Sequence, residues 1–367
     1  MQPLNIGFIG LGLIGGSIAR ALRRVTPDIK LIACDKDTDS LTAALSDGVI
    51  NEAADHISGS FSKCDIIFLC APVSINIKNL EILKPLIKDT CILTDVGSVK
   101  SSMHQAIREA GLSRHFIGGH PMAGSEKSGY LSSNDRLLEN AYYILTPSHQ
   151  ASEAMKETMV NLVRSIVSIP IVLTCQEHDS ITAAISHLPH IIAYTLVNLV
   201  RETDNTEGMM RQLAAGGFKD ITRIASSSPI MWQQICSENH RPVLDVLDKY
   251  IDMLKNISKA IENDNKQMLL NTFTAAKDYR DDIPASKVRS VLKPYYEIYV
   301  DIIDESGAIA TIATILATNG ISIKNIGIIH NREFQEGVLR IEFYEADAME
   351  NASALLRRFH YTIHERN

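Results

Sequence analysis

The stretch Gly10-Leu11-Gly12-Leu13-Ile14-Gly15 follows a short apolar run, Asn5–Gly10, and leads into a helical pattern. It matches G-x-G-x-x-G, the glycine pattern that joins the first strand of a dinucleotide-binding fold to its first helix. We expect the first glycine to form the tight turn, the second to let the backbone approach a pyrophosphate, and the third to let the helix pack closely on a strand. Leu13 and Ile14 begin that helix, whose N-terminus would present free N–H groups to the phosphates.

An acidic residue stands where a ribose-binding carboxylate is expected. Asp35 ends the second predicted strand, Lys30–Cys34, and lies 20 residues after Gly15. Its carboxylate would accept hydrogen bonds from a ribose 2′-hydroxyl and repel a 2′-phosphate, so the sequence favours NAD over NADP. The neighbouring Lys36 could reach a phosphate, which leaves NADP open. A glycine turn that binds no nucleotide is the other interpretation of this pattern.

Two further loops are predicted to line the same cleft. Ala71-Pro72-Val73 and Asp95-Val96-Gly97-Ser98 each follow an apolar predicted strand. In open parallel sheets, ligands lie against the carboxyl ends of the strands, where these loops begin. For Pro72 alone, termination of a strand is an equally good interpretation.

The composition is that of an ordinary soluble protein with two or three domains. The 367 residues are 45% apolar and 22% charged, which excludes overall disorder. The formal net charge of −7 gives no electrostatic case for binding nucleic acid. No apolar run approaches the ~20 residues of a membrane helix, and the N-terminus has no signal-peptide pattern. The six cysteines form no C-x-x-C pair, so we expect free thiols and a cytoplasmic location.

Three segments of different periodicity predict three domains. Residues 1–170 alternate apolar strands with helices, which predicts a Rossmann-type α/β domain with a parallel sheet covered on both faces. Strand signals vanish from about Ser152, and residues 171–285 predict an all-α domain whose apolar surface favours a homodimer. After a breaker-rich linker, residues 295–367 follow the order β-α-β-β-α-β, which predicts a ferredoxin-like α+β domain.

A glycine-rich cluster, Gly118–Gly129, directly follows a predicted strand and contains His120 and Glu126. Its glycines would let a ligand approach the backbone, and His120 would lie at the carboxyl edge of the sheet. An isolated histidine is more often a loop residue without a function. The glycines around this one favour a functional site.

A second cluster combines His178-Asp179 with Ser186-His187-Leu188-Pro189-His190. Helical spacing can bring Asp179, His187 and His190 near one stripe, and Pro189 should kink the helix so that His190 turns toward a cleft. A metal site is the rival interpretation, but the histidines lack a third ligand at a recognised spacing. We therefore predict no metal.

A third cluster, Gly216–Ser226, follows a Gly-Gly turn and carries Lys219, Asp220 and Arg223. The fork of an arginine guanidinium suits the clamping of a carboxylate. A structural pair of Arg223 with Asp220 on a helix surface is the alternative.

These motifs, together with Trp232, resemble the motif set of the prephenate/arogenate dehydrogenase family of tyrosine biosynthesis. The resemblance runs in order from about residue 5 to residue 280. Residues 295–367 resemble an ACT domain, a small amino-acid-sensing module, through their strand order and Gly307 at a strand–helix turn. The resemblance thus implies a feedback effector such as tyrosine at that domain.

The family resemblance implies NAD-dependent oxidative decarboxylation of prephenate to 4-hydroxyphenylpyruvate and CO₂. It implies that His120 is the catalytic histidine, which accepts a hydrogen bond from the ring hydroxyl, and that Ser98 lies near that hydroxyl and the nicotinamide. His190 would position the substrate, and Arg223 would hold its carboxylate. The other implied residues are His187 and Lys219 for substrate binding, and Glu126, Asp179 and Asp220 in a supporting polar network.

Three alternatives remain open on the sequence. Arogenate, which carries an amine in place of the keto group, could be the substrate, and no residue decides this. The chain could be another two-domain dehydrogenase, such as a 3-hydroxyacid enzyme, although the motifs of His120 and Arg223 argue against it. It could also be a non-catalytic sensor of NAD and an amino acid.

Overall fold

The computed structural model describes residues 4–124, 127–282, 296–302, 307–329 and 337–365. They belong to two compact units, residues 1–283 and residues 284–367. Each unit has its own fold and is described by itself.

The first half of the N-terminal unit is a five-stranded parallel sheet. Its strands are β1 (Asn5–Ile9), β2 (Lys30–Cys34), β3 (Glu52–Ala54), β4 (Ile66–Leu69) and β5 (Ile92–Asp95), in the order β3-β2-β1-β4-β5. Its helices are α1 (Leu13–Val25), α2 (Thr38–Ser46), α3 (Val73–Leu83) and α4 (Ser101–Glu109). The central strands β1 and β4 are buried on both faces, as expected for apolar runs covered by helices. The predicted Rossmann-type fold is confirmed.

The prediction of a single parallel sheet through residue 170 is wrong for the last strands. The strands β6 (Ile117–Pro121), β7 (Tyr142–Pro147) and β8 (Ile169–Val172) form a separate sheet, and helix α5 (Glu153–Ser165) lies between β7 and β8. Strand β6 is antiparallel to β7, and β8 is parallel to β7. The strand signal was also predicted to end at Ser152. It missed β8, a short edge strand that contains Pro170, a residue that cannot donate to a ladder.

The second half of the unit is helical. It contains α6 (Cys175–Thr182), a π-helical turn (Ala183–His187), α7 (Leu188–Thr203), α8 (Met209–Leu213), α9 (Gly216–Thr222), a 3₁₀ turn (Arg223–Ser226), α10 (Pro229–Glu238), α11 (His240–Glu262) and α12 (Lys266–Asp282). The kink predicted at Pro189 stays a prediction, but a π-helical turn directly precedes α7, where proline cannot supply a backbone N–H to the preceding turn.

The continuous helix Cys175–Thr203 is apolar and long enough to cross a membrane by length and composition alone. It is the one such helix among the described residues. Its first half, however, carries the polar side chains of His178, Asp179 and His187, all buried within the N-terminal unit. That burial identifies this half of the helix as part of a folded core.

The C-terminal unit has the β-α-β-β-α-β order that the sequence predicts. It consists of β9 (Tyr296–Ile302), α13 (Ala308–Thr318), β10 (Ile323–Ile329), β11 (Gly337–Phe343), α14 (Ala346–Arg358) and β12 (Ile363–Glu365). The four strands are antiparallel in the order β10-β11-β9-β12, the arrangement of a ferredoxin-like sandwich. Both helices pack on this sheet around a core that includes Ile298, Ile312, Leu339 and Leu356.

The glycine turn after β1 has the geometry that its sequence predicts. Gly10 has φ +93°, and a Cβ at that position would lie 2.8 Å from the backbone nitrogen of Ala71. A Cβ on Gly15 would lie 2.7 Å from the carbonyl oxygen of Gly10, so helix α1 packs tightly on the turn. Gly12 differs from both, because a Cβ there would have no neighbour within 4 Å.

We predict that Gly10→Ala lowers the free energy of unfolding by about 2 kcal/mol or more, because the alanine is strained at this φ and meets backbone. The matched control is Gly12→Ala, whose methyl group points into open space and should cost less than about 1 kcal/mol. Urea unfolding of both variants checks the difference. Equal losses would mean that the turn does not restrain the fold.

Candidate active site

A chain of hydrogen bonds crosses from the sheet half to the helical half of the N-terminal unit. His120 lies near the end of β6, and its Nδ1 is 2.8 Å from Nε2 of His178 on α6. His178 Nδ1 is in turn 2.8 Å from Oδ1 of Asp179. The Asp179 carboxylate also accepts the backbone N–H groups of Lys100 and Ser101, both at 2.8 Å, at the beginning of α4.

The donor and acceptor of each hydrogen bond in this chain can be assigned by starting from the Asp179 carboxylate. A carboxylate only accepts hydrogen bonds, so His178 must donate through Nδ1, and in a neutral His178 Nε2 is then an acceptor. His120 must therefore donate through Nδ1, which leaves the lone pair on its Nε2. Burial, followed by the nearby His178, Lys100 and His187, lowers the pKa of His120 well below its ordinary value. The arrangement yields a neutral imidazole with a free basic nitrogen, as a general base requires.

The helical half contributes two more rings and an indole. The ring of His190 stacks on Trp232 with centroids 3.5 Å apart, and Trp232 belongs to the same buried apolar cluster as Val99, the residue after Ser98. His187 is fully buried, and its Nδ1 is 3.1 Å from Nδ2 of Asn239. Because Nδ2 is a donor, Nδ1 accepts, and the proton of a neutral His187 lies on Nε2.

Two buried N–H groups of this cluster are unsatisfied. Across the residues that the structure describes, neither His187 Nε2 nor Trp232 Nε1 has a hydrogen-bond partner. Buried donors normally find an acceptor. These two donors near the His120 chain are therefore available to an acceptor that the structure does not contain.

Arg223 interacts electrostatically with His190, one of the residues in the cluster of His187, His190 and Trp232. Arg223 begins the 3₁₀ turn after α9, and its charge contributes to a lowered pKa of His190, for which burial is the larger cause. Lys219 and Asp220 are exposed on α9. Glu126 lies outside the described residues. The structure thus places Arg223 near His190, and the roles of Arg223, Lys219, Asp220 and Glu126 stay predictions.

The cleft beside the glycine turn fits NAD. Asp35 lies at the end of β2 and accepts the backbone N–H of Leu11 at 2.5 Å, which places its carboxylate against the turn. A Cβ at Gly12 would have no neighbour within 4 Å, so a pyrophosphate could approach the backbone there, and the first turn of α1 carries no acidic side chain.

The two predicted loops reach the same edge of the sheet. A Cβ on Gly97 would lie 3.5 Å from Val73 Cγ2, so the loop that contains Ser98 adjoins the Ala71-Pro72-Val73 loop. Both loops therefore border the cleft. Among the described residues, no group of three or more His, Cys, Asp or Glu side chains is placed to hold a metal ion.

Reasoning from the sequence missed His178 as a site residue. It emphasised Asp179, His187 and His190, which share a helical stripe, whereas His178 is adjacent to Asp179 and helical neighbours do not face each other. The structure joins the two because the Asp179 carboxylate turns back to Nδ1 of His178. A histidine directly before a buried acid was the available signal.

A parallel nucleotide-binding sheet, followed by helices whose histidines reach a base at the sheet edge, defines the class of two-domain nicotinamide-dependent dehydrogenases. Residues 18–169 match the family model for the nucleotide-binding domain of prephenate dehydrogenase. Residues 174–275 match the model for its dimerization domain. The chain belongs to the prephenate dehydrogenase family.

Individual relatives agree with this assignment. The prephenate dehydrogenase of Bacillus subtilis is 39% identical over 345 residues, which cover 94% of this chain and 93% of the relative. That of Lactococcus lactis is 33% identical over 361 residues, or 96% of this chain and 98% of the relative. The crystal structure of prephenate dehydrogenase from Aquifex aeolicus with hydroxyphenyl propionate and NAD⁺ is 30% identical, with a TM-score of 0.73 over 77% of this chain and 99% of that one.

The buried His187 should make the fold sensitive to acid. Burial lowers its pKa from 6.5 to about 4, so the unfolded chain takes up a proton first as the pH falls. The free energy of unfolding should therefore be fully maintained above about pH 6.5 and decline between pH 6.5 and 4. We expect His187→Gln to flatten this decline in urea titrations at several pH values. The exposed His149→Gln control should keep the wild-type slope, and an unchanged slope in His187→Gln would contradict the prediction.

Proposed function

We propose that this chain catalyses the NAD-dependent oxidative decarboxylation of prephenate to 4-hydroxyphenylpyruvate and CO₂, a step of tyrosine biosynthesis. The single observation that carries the proposal is the chain from Asp179 through His178 to His120, which ends in a free basic nitrogen beside the nucleotide cleft. Two relatives aligned over nearly their whole length bear the name prephenate dehydrogenase, which favours prephenate over arogenate.

His120 is the proposed base. Hydride loss from a carbinol carbon leaves a developing carbonyl, so the hydroxyl proton must move to a base, and Nε2 of His120 is free to accept it. His178 keeps the other ring nitrogen protonated, and Asp179 holds His178 in place. When bound, NAD supplies the hydride acceptor, and Gly12, Asp35 and the α1 N-terminus would hold it. Loss of CO₂ completes an aromatic ring. This makes the reaction irreversible, and no metal ion is needed to drive it.

The remaining groups bind and orient the substrate. Arg223 supplies a guanidinium fork for a substrate carboxylate, and the neutral His190 beside it positions the same end. Ser98 is half-buried in the loop after β5, next to the cleft. The proposed contributions of His187, Lys219, Glu126 and Asp220 rest on their places in the matched family motifs.

We propose the domain limits 1–170 for NAD, 171–285 for substrate and dimerisation, and 295–367 for regulation. The two family-model matches, residues 18–169 and 174–275, support the first division. The match to a dimerization domain supports a homodimer, and so do the large apolar side chains left exposed on the helices. Examples are Ile185, Leu199, Met253 and Phe273. Burial of that surface in a second copy explains why one protomer leaves it uncovered.

The C-terminal unit is proposed to be an ACT domain that binds tyrosine. Support comes from its β-α-β-β-α-β fold and from Gly307, which has φ +97° and caps α13 at the turn. A cytoplasmic location is proposed because all six cysteines are free, as expected in a reducing compartment.

Production of NADH from NAD and prephenate by the purified chain tests the proposed reaction. We predict that His120→Asn lowers kcat about 10²–10⁴-fold with KM for prephenate nearly unchanged, because it removes a base and not a binding group. Arg223→Ala should instead raise KM by about tenfold or more, since it removes a charge-assisted carboxylate contact. Arg108→Ala, an exposed arginine on α4, is the control. Full turnover in His120→Asn would refute the assignment.

Deletion of residues 295–367 tests separately the two proposed functions other than catalysis, which are dimerisation and inhibition by tyrosine. We expect the shortened chain to remain a dimer by light scattering, because the apolar helices remain. Inhibition by added tyrosine should be lost while turnover of prephenate continues. Tyrosine inhibition that survives the deletion would place the inhibitor at the active site instead. A monomeric shortened chain would contradict dimerisation through the helices.

A further inference from the structure

Lys100 is a completely buried cation next to the proposed active site. It directly precedes α4, and its ammonium group forms an ion pair with Asp95 at the end of β5. The same Nζ donates to the carbonyl oxygen of Gly119 at 2.8 Å. Gly119 immediately precedes His120, so the ammonium group touches the strand that carries the proposed base.

The backbone of Lys100 reaches the opposite end of the hydrogen-bond chain. Its N–H donates to Oδ1 of Asp179 at 2.8 Å, and Asp179 holds His178, which holds His120. One residue therefore contacts both the strand under the base and the carboxylate that orients the base. A shift of Lys100 would change the distance between these two ends.

Asp95 completes the attachment of β6. Its Oδ1 accepts the backbone N–H of Gly119 at 3.2 Å, and its Oδ2 accepts that of Gly97 at 3.0 Å. Gly119 therefore donates its backbone N–H to Asp95 and accepts a hydrogen bond from Lys100 at its carbonyl oxygen. A Cβ at Gly119 would lie 2.6 Å from the carbonyl oxygen of Asp95, so the two strands approach too closely for any side chain at that position.

Stability alone gives little reason to bury this pair. Removing two charges from water is costly, and well-packed apolar side chains of similar volume often serve a fold equally well. A buried pair is useful where it fixes one geometry or one charge. Here it fixes the strand that carries His120, and it places a positive charge close to an imidazole that must stay neutral.

Several charged and titratable groups surround His120 and must be considered together. They are His178 and Asp179 on α6, His187 in the π-helical turn, Asp95 on β5, and Lys100. Burial is the largest cause of the lowered pKa of His120, and His178, Lys100 and His187 lower it further. Burial lowers the pKa of Lys100 itself, and the adjacent Asp95 carboxylate opposes that shift.

We propose that Lys100 is a positioning residue for the reaction, whose buried ammonium group and backbone N–H fix strand β6 against Asp179 and keep His120 in its basic form. This inference rests on the proposed function, because it assigns Lys100 a role through His120. Lys100 does not touch the substrate in this scheme.

The test compares two pairs of variants. Lys100→Met removes the ammonium group, and the double variant Asp95→Asn with Lys100→Met removes both charges so that no carboxylate is left unpaired. The matched controls are Lys88→Met and Asp65→Asn with Lys88→Met, which remove a partly exposed ion pair of the same sheet with N–O distance 2.5 Å. For each protein, kcat and KM for prephenate are measured from pH 5 to 9. Thermal unfolding and the ¹⁵N resonances of His120, assigned with His120→Asn, are recorded on the same samples.

We expect both Lys100 variants to lose about 10- to 100-fold in kcat at pH 7, with KM nearly unchanged. In Lys100→Met the acidic limb of kcat should move to higher pH, because loss of a nearby cation raises the pKa of His120. In the double variant the shift should have the same direction but be smaller, because the Asp95 carboxylate is lost as well. The ¹⁵N titration of His120 should move in the same direction. The controls should show neither change. If Lys100→Met alone fails to fold, the kcat and the His120 titration of the double variant test the inference.

Failure of this inference and failure of the proposed function give different results. If the double variant recovers both thermal stability and kcat, or if kcat falls while the His120 titration stays at the wild-type position, the inference is overturned. If the wild-type chain does not oxidise prephenate, the proposed function fails. The ¹⁵N titration still decides in that case: a raised His120 pKa in the double variant supports the contact with Lys100, and an unchanged one overturns it.

Discussion

The carboxylate of Asp179 is the group on which the remaining site geometry depends. It accepts two backbone N–H groups at the beginning of α4, in the sheet half of the N-terminal unit, while it belongs to α6 in the helical half. A helix N-terminus has free N–H groups and a positive dipole end, so a buried carboxylate is favourable there. Burial raises the pKa of Asp179, but the hydrogen bonds from His178, Ser101 and the Lys100 backbone outweigh it, and the pKa is lowered.

An ionised Asp179 imposes a direction on every hydrogen bond that follows. Because it can only accept, a neutral His178 carries its proton on Nδ1, His120 donates through its own Nδ1, and the free lone pair lies on Nε2 of His120. In the proposed reaction, the lowered pKa of His120 keeps its ring in the basic form near neutral pH. A histidine exposed to solvent would be partly protonated near neutral pH and would be a poorer base for part of the population.

The features predicted from the sequence are those that depend on local pattern. The glycine turn, the placement of Asp35 and the β-α-β-β-α-β order of the C-terminal unit follow from spacing and from the restricted choice of residues at φ > 0. Features that depend on which elements meet in space were missed. The antiparallel pairing of β6 with β7, the short edge strand β8 and the contact between His178 and His120 all require the tertiary arrangement.

Net charge is a poor guide to how such a protein receives an anionic substrate. The chain has a formal charge of −7, and burial lowers the pKa of His120, His187 and His190, so these three rings do not offset it. The ammonium group of Lys100 is already paired with Asp95. In the proposed reaction, the guanidinium of Arg223 attracts a substrate carboxylate, and the N-terminus of α1 attracts the pyrophosphate. In this proposal the base stays neutral, and charged groups elsewhere hold the substrate. A cation at the position of His120 would instead attract a substrate carboxylate to the place where the reacting hydroxyl must lie.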